Sequence, residues 1–200
     1  MGEQVTLGDQ GQEPTTLFAG PGDARARCRA VDWSASPLGP VAGWPQCLRT
    51  AVRLCLDSQS AMAVWACPAL TLIHNDAYAQ VLGAKAAYAM GRPLSEVWSE
   101  VWAVLAPEFS RVTDGGESIR HDEMRYVLQR HAREEETYFA YGLTPIRDDD
   151  GRIVGVFNIL EETTGVVQAR SESEHRYHAL DGVEPRGKLR ATQARQLWGM

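Results

Sequence analysis

The chain has no long apolar run. Nowhere in its 200 residues do apolar side chains continue for the length that a membrane-crossing helix needs. Basic residues are in short supply too: 20 lysines and arginines stand against 26 aspartates and glutamates, a formal net charge of -6. That balance provides no face able to neutralise a phosphate backbone, so a nucleic-acid binder is not expected. Cysteine is sparse, with only Cys28, Cys47, Cys55 and Cys67. None is spaced C-x-x-C and no histidine stands beside them at metal-ligand spacing, which argues against a zinc site. Three of them sit in apolar contexts, which fits small buried hydrophobes in a reducing compartment, and a cytoplasmic location follows as the expectation. The opening MGEQVTLGDQGQEP lacks the basic start and apolar centre of a secretory signal, and its MG start lacks a supporting basic cluster for myristoylation.

What is present reads as one α+β domain with flanking segments. Residues 1–30 are expected to be a flexible leader, because their first part is rich in Gly, Gln, Asp and Pro and has little periodicity. Residues 31–60 form a helical lead-in. Pro37 and Pro40 punctuate a loop, Pro45 suits a first helical turn, and Leu48, Ala51, Val52, Cys55 and Leu56 then fall at helical spacing. Two short strands follow, Met62 to Trp65 and Leu70 to His74. Asn75 then predicts an N-cap, Asp76 suits the positive helix end, and Gly83 predicts the stop of a short helix with Ala77, Tyr78, Val81 and Leu82 on its apolar face. A second helical patch covers Ala84 to Met90. From about Ser95 one longer helix is expected, with Val97, Trp98, Val101, Trp102, Leu105, Phe109 and Val112 on one face and a kink or restart at Pro107. The remainder alternates as three antiparallel strands, with the acidic runs Glu134–Glu136 and Asp148–Asp150 placed at solvated turns.

This order resembles the PAS domain. WACPALTLIHNDAYAQVLG is similar to the opening of such a domain, GRPLSEVWSEVW to the approach to its long helix, and TPIRDDDGRIVGVFNILEETT to its last hairpin and exit. DWSASPLGPVAGWP resembles the helical lead-in of bacterial sensor histidine kinases. The resemblance spans about residues 31–168. It implies a single antiparallel sheet of about five strands, short helices on one face, an N-terminal amphipathic helix and a C-terminal linker helix. Residues 61–163 would be the PAS domain and 164–180 the linker helix, where SESEHRYHAL resembles the start of a second such domain. Residues 181–200 are expected to be a disordered tail.

The function implied is a non-catalytic sensor or interaction module, acting as the sensory part of a two-component histidine kinase. The alternative is a stand-alone ligand-binding PAS protein that works through a separate partner. The partners implied are a second copy of the chain and a downstream or separate kinase. Trp98, Trp102, Phe109, Tyr126, Phe139, Tyr141 and Phe157 would line a small-ligand cavity or simply fill the core. Glu162, Thr163 and Thr164 match the acid–Thr junction through which a PAS sheet is coupled to its output helix, and Thr164 would N-cap that helix. Flavin-binding members carry a Cys in the segment that here reads AMGRPLSEVW, and haem-binding members supply a His from the long helix, which residues 95–114 lack. Both cofactors are disfavoured; an unknown small ligand is not. No metal site is expected.

His74 ends a strand and reads as a core or rim histidine, and His131 lies in a charged turn. HDEMR at His121 superficially resembles a phospho-acceptor, but strand residues follow it and no Gly-rich nucleotide loop stands downstream. Radiolabel from ATP should therefore not transfer to the purified chain. Transfer that disappears on His121→Ala would overturn this expectation.

Overall fold

The computed structural model describes residues 14–130 and 133–181. The first part of the leader, the tail and His131 lie outside the described residues.

The chain enters through two short helices, α1 (Pro14–Leu17) and α2 (Asp23–Ala30). They correct the expectation of a flexible leader up to residue 30. Leu17, Phe18, Ala24 and Cys28 are buried. Their partners lie well downstream: Phe18 stacks on Trp33 with centroids 5.8 Å apart, and Trp33 meets Trp44 edge-on at 5.0 Å. Local composition reads as a linker because the ordering contacts are aromatic and non-local. Gly22 marks the close approach of this segment to the domain. Its φ is +108°, and a Cβ there would meet Asp76 Oδ2 at 2.5 Å. The same Asp76 accepts from Ala24 N at 2.6 Å, so it satisfies a free amide at the start of α2 as well as standing in the first turn of its own helix.

Two single 3₁₀ turns, Trp33–Ala35 and Val41–Gly43, lead to α3 (Gln46–Asp57). Pro45 stands at its N-cap and Leu48, Ala51, Val52 and Cys55 are its buried face, as the periodicity predicts. Then come β1 (Met62–Ala66), β2 (Thr71–His74), α4 (Asp76–Leu82), a 3₁₀ segment Gly83–Ala87, α5 (Leu94–Val97), α6 (Trp102–Thr113), β3 (Ile119–Arg130), β4 (Arg133–Arg147), β5 (Ile153–Glu162) and α7 (Thr164–Asp181). The five strands form one sheet in the order β2-β1-β5-β4-β3, with every neighbouring pair antiparallel.

Strand parity sends alternate side chains to opposite faces. Ala63, Trp65, Leu72, Tyr126, Leu128, Phe139, Tyr141, Leu143, Val156 and Leu160 join the front core beneath α4, α5 and α6. Val64, Ala66, Ile73 and Ile146 join the back core, which α2, α3 and the 3₁₀ turns cover. Both faces therefore carry helices.

Two expectations change. The single long helix from Ser95 is two helices. Trp98 leaves helical geometry at φ -118°, ψ 40°, because its indole is turned to Tyr78 and the next turn is fastened elsewhere. Lys85 pairs with Glu100 and lies 4.2 Å from the centre of the Trp98 ring. Pro107 sits inside α6 without ending it. The run Glu134–Glu136 is in β4 rather than a turn, opposite Gln129, Leu128 and Val127, with Glu134 accepting from Gln129 and Glu136 from Arg125. Asp148–Asp150 is the turn expected: Asp148 Oδ1 accepts from Asp150 N and Arg152 N, and Gly151 takes φ 81°.

Asn75 holds the entrance of the front layer. It is 1% exposed. Its Oδ1 accepts from Tyr78 N at 2.9 Å, the predicted cap, and also from Met62 N at 3.1 Å. Its Nδ2 donates to Ser58 O at 3.0 Å and Ser60 O at 2.7 Å. Asn75→Ala should cost about 3 kcal/mol in urea unfolding, the loss of a cap plus several orphaned buried groups. A loss below about 1 kcal/mol would show that solvent replaces these bonds.

Candidate functional site

Between the front helices and the sheet lies an apolar cavity of about 70 Å³. Five of the seven aromatic residues singled out in the sequence line it: Trp98, Phe109, Tyr126, Phe139 and Tyr141. Two do not. Trp102 is half-buried at the edge of the front core, and Phe157 packs on the back core, opposite Val64. Phe157 is a correction of parity. RIVGVFNILE is apolar at both odd and even positions, so alternation alone cannot say which set faces front. The structure puts Val156, Asn158 and Leu160 forward. The sequence reading also missed Trp65, Tyr78 and Asn158, which line the cavity. Trp65 stands on the same face of β1 as Ala63, two residues before it, and that spacing was the available signal.

Polar atoms at the cavity wall are mostly joined in pairs. Trp98 Nε1 donates to Tyr78 Oη at 3.3 Å, and Asn158 Nδ2 donates to Gly142 O at 3.1 Å. A longer chain leads outward. Tyr126 Oη and Tyr141 Oη are 2.7 Å apart, and Tyr141 Oη donates to Glu108 Oε2 at 2.6 Å. Because Tyr141 has a single hydroxyl proton, Tyr126 must donate to it. His121 Nε2 lies 2.9 Å from Glu108 Oε1, off the line of a hydrogen bond, and its ring packs on Tyr141 at 4.9 Å. His121 stands at a bulge in β3, on a strand, as its context predicts. Burial holds Tyr78, Tyr126 and Tyr141 above the usual phenol range, with Tyr126 pushed up to about 12 and Tyr141 raised further by its bond to Glu108. His74 is fully buried, its Nδ1 placed 2.9 Å from Asn75 O, and burial pushes its pKa down to about 4. It is a neutral core histidine.

Among the described residues, no group of three or more His, Cys, Asp or Glu side chains could hold a metal ion. No described helix is long and apolar enough to cross a membrane.

The exit of the sheet is fastened to β4. Thr163 N donates to Tyr138 O at 2.8 Å, and Thr164 Oγ1 accepts from Tyr138 N at 3.0 Å while donating to Glu162 Oε1 at 2.9 Å. Thr164 is the first residue of α7, and its hydroxyl is turned to the sheet instead of capping the helix.

Residues 71–168 match the family model of the PAS fold. This stretch has the PAS fold. The match begins at β2 and runs into the start of α7. Several solved structures are also similar at low identity. The PAS domain of a protein from Colwellia psychrerythraea is 16% identical, with a TM-score of 0.44, covering 59% of this chain and 98% of that one. The PAS domain of BvgS from Bordetella pertussis is 21% identical, with a TM-score of 0.44, covering 68% and 96%. A sensory box sensor histidine kinase from Vibrio cholerae is 16% identical, with a TM-score of 0.38, covering 57% and 87%. No residue role is carried over from them. No curated protein matches the sequence.

The buried tyrosines Tyr78, Tyr126 and Tyr141 make stability fall at alkaline pH. Below pH 10 they are protonated in folded and unfolded chains alike. Between about 10 and 12 the unfolded chain ionises them while Tyr126 in the fold keeps its proton, so stability falls as pH rises. Tyr126→Phe should unfold with a shallower loss between pH 10 and 11.5 in urea titrations. Equal losses in variant and parent would count against the assignment.

Proposed function

We propose that this PAS domain is the non-catalytic sensory part of a bacterial two-component pathway, joined to or acting on a histidine kinase, and that it passes the state of the front cavity to α7 through β4. The observation that supports this reading is the placement of Tyr138. Its backbone N–H and C=O are both tied to the junction residues Thr164 and Thr163. The next residue, Phe139, lines the cavity, and Tyr141 follows two further on. A shift of β4 that accommodates a ligand therefore loads the junction directly, without an intervening element.

The same reading makes the domain free of haem and flavin. The cavity volume of about 70 Å³ is far below the size of either ring system, AMGRPLSEVW offers no cysteine and residues 95–114 offer no histidine. We also propose a cytoplasmic location and self-association through the helices flanking the sheet. Leu54 on α3 and Val166 on α7 are exposed apolar side chains suited to burial against a second copy.

The junction can be tested in a fusion to a histidine kinase core after Leu180. Glu162→Ala with Thr164→Ala should change the autophosphorylation of the fused kinase several-fold while the melting temperature stays within a few degrees of the parent. A double variant that melts and phosphorylates like the parent would sink the coupling.

A further inference from the structure

One polar side chain stands in the front wall where its neighbours on the strand are apolar. Asn158 lies between Val156 and Leu160 on the front face of β5, is 6% exposed and lines the cavity. Asparagine is a poor strand former, and burying its amide is costly unless hydrogen bonds compensate. Half of the amide is compensated. Nδ2 donates to Gly142 O at 3.1 Å and to Ile159 O at 3.4 Å. Both partners are carbonyl oxygens, which can only accept, so the nitrogen belongs on that side and Oδ1 on the other. Among the described residues no donor is bonded to Oδ1, and the atom is not closed off by its neighbours. It is an open acceptor in the polar part of the cavity wall.

Three properties of the space define what would complete it. No charged residue lines the cavity, so an ion would be buried there without a counter-charge. Donors already at the wall are directed elsewhere: the Trp98 N–H to Tyr78 Oη, the Tyr126 hydroxyl to Tyr141 and the Tyr141 hydroxyl to Glu108. The volume of about 70 Å³ is several times the roughly 15 Å³ that one water needs and is below the roughly 150 Å³ of a cavity that takes benzene. Water filling it would face mainly apolar walls, to which a short alkyl group is better matched.

We propose that the cavity binds a neutral molecule of a few carbons that carries one hydroxyl, of the short-chain alcohol class, with the hydroxyl donating to Asn158 Oδ1 and the alkyl part against the aromatic walls. The inference rests on the reading of the cavity as the sensory site and gives that site its ligand chemistry.

2-Propanol, acetone and isobutane have nearly the same shape, and 2-propanol alone can donate, so they serve as probes. In carbon-detected spectra of the full chain, 2-propanol should move the Asn158 side-chain carbonyl carbon downfield and saturably, and acetone should not. Asn158→Leu, close in shape, should weaken 2-propanol binding about tenfold and leave acetone and isobutane within about twofold, as expected for loss of one buried hydrogen bond. Equal changes for all three probes would overturn the hydroxyl chemistry while leaving the cavity a ligand site. Absence of saturable binding by any of them would overturn both. A resident water bonded to the Asn158 amide that 2-propanol does not displace would also overturn the proposal. Should Asn158→Leu fail to fold, the carbonyl shift of the parent with 2-propanol against acetone decides. The kinase-fusion response tests the junction independently of the probes.

Discussion

The amide of Asn75 is the constraint on which the domain depends. It binds four backbone groups that belong to three different segments: the loop after α3, the start of β1 and the first turn of α4. The two strands at this end of the sheet, the back-face helix and the first front-face helix are thereby fixed relative to one another by a single side chain. A carboxylate could accept at the cap but could not donate to the carbonyls of Ser58 and Ser60, and an alkyl group could do neither. Only a primary amide satisfies both sets at once, which explains why a buried polar residue stands where an apolar strand meets a helix.

With that corner set, the sheet separates two environments. The back face is an aromatic and aliphatic contact with the lead-in, fastened by Phe18, Trp33 and Trp44 and by Asp76 at the start of α2. The front face is looser. Its helices are short and interrupted at Trp98, and the side-chain polar ties from this layer to the sheet include Glu108 with Tyr141 and Glu100 with the backbone N–H of Gln129. A small cavity remains because large aromatic rings meeting at edge-on angles, such as Trp65 with Phe109, do not fill space as branched aliphatics do.

β4 is the element common to the cavity and the exit. Its odd-numbered residues Phe139, Tyr141 and Leu143 face the cavity, and the backbone of Tyr138 is bonded to the junction residues. Thr164 contributes here by a bond that differs from a helix cap: its hydroxyl substitutes for a strand partner and receives the N–H of β4. A cap would have stabilised α7 locally. A cross-strand bond instead makes the first residue of α7 part of the sheet.

The sequence by itself determined the elements whose signals are local. The face of α3, the two short strands, the Asn75 cap, the Asp148 turn and the three long strands all follow from period, capping chemistry and turn residues within a few positions of one another. It also identified five of the cavity aromatics, because helical and strand spacing places them together. Tertiary structure alone decided the rest, and the physical reason is the same each time: the deciding partner is distant in the chain. Phe157 faces back because pairing of β5 with β1 fixes its parity, and its own strand is apolar on both sides. Residues 17–30 are ordered because Trp33, Trp44 and Asp76 meet them. The long helix breaks at Trp98 because Tyr78 and Lys85 claim that turn. Trp65 Nε1 is left without a hydrogen-bond partner, which is visible only once the strands and helices around it are assembled.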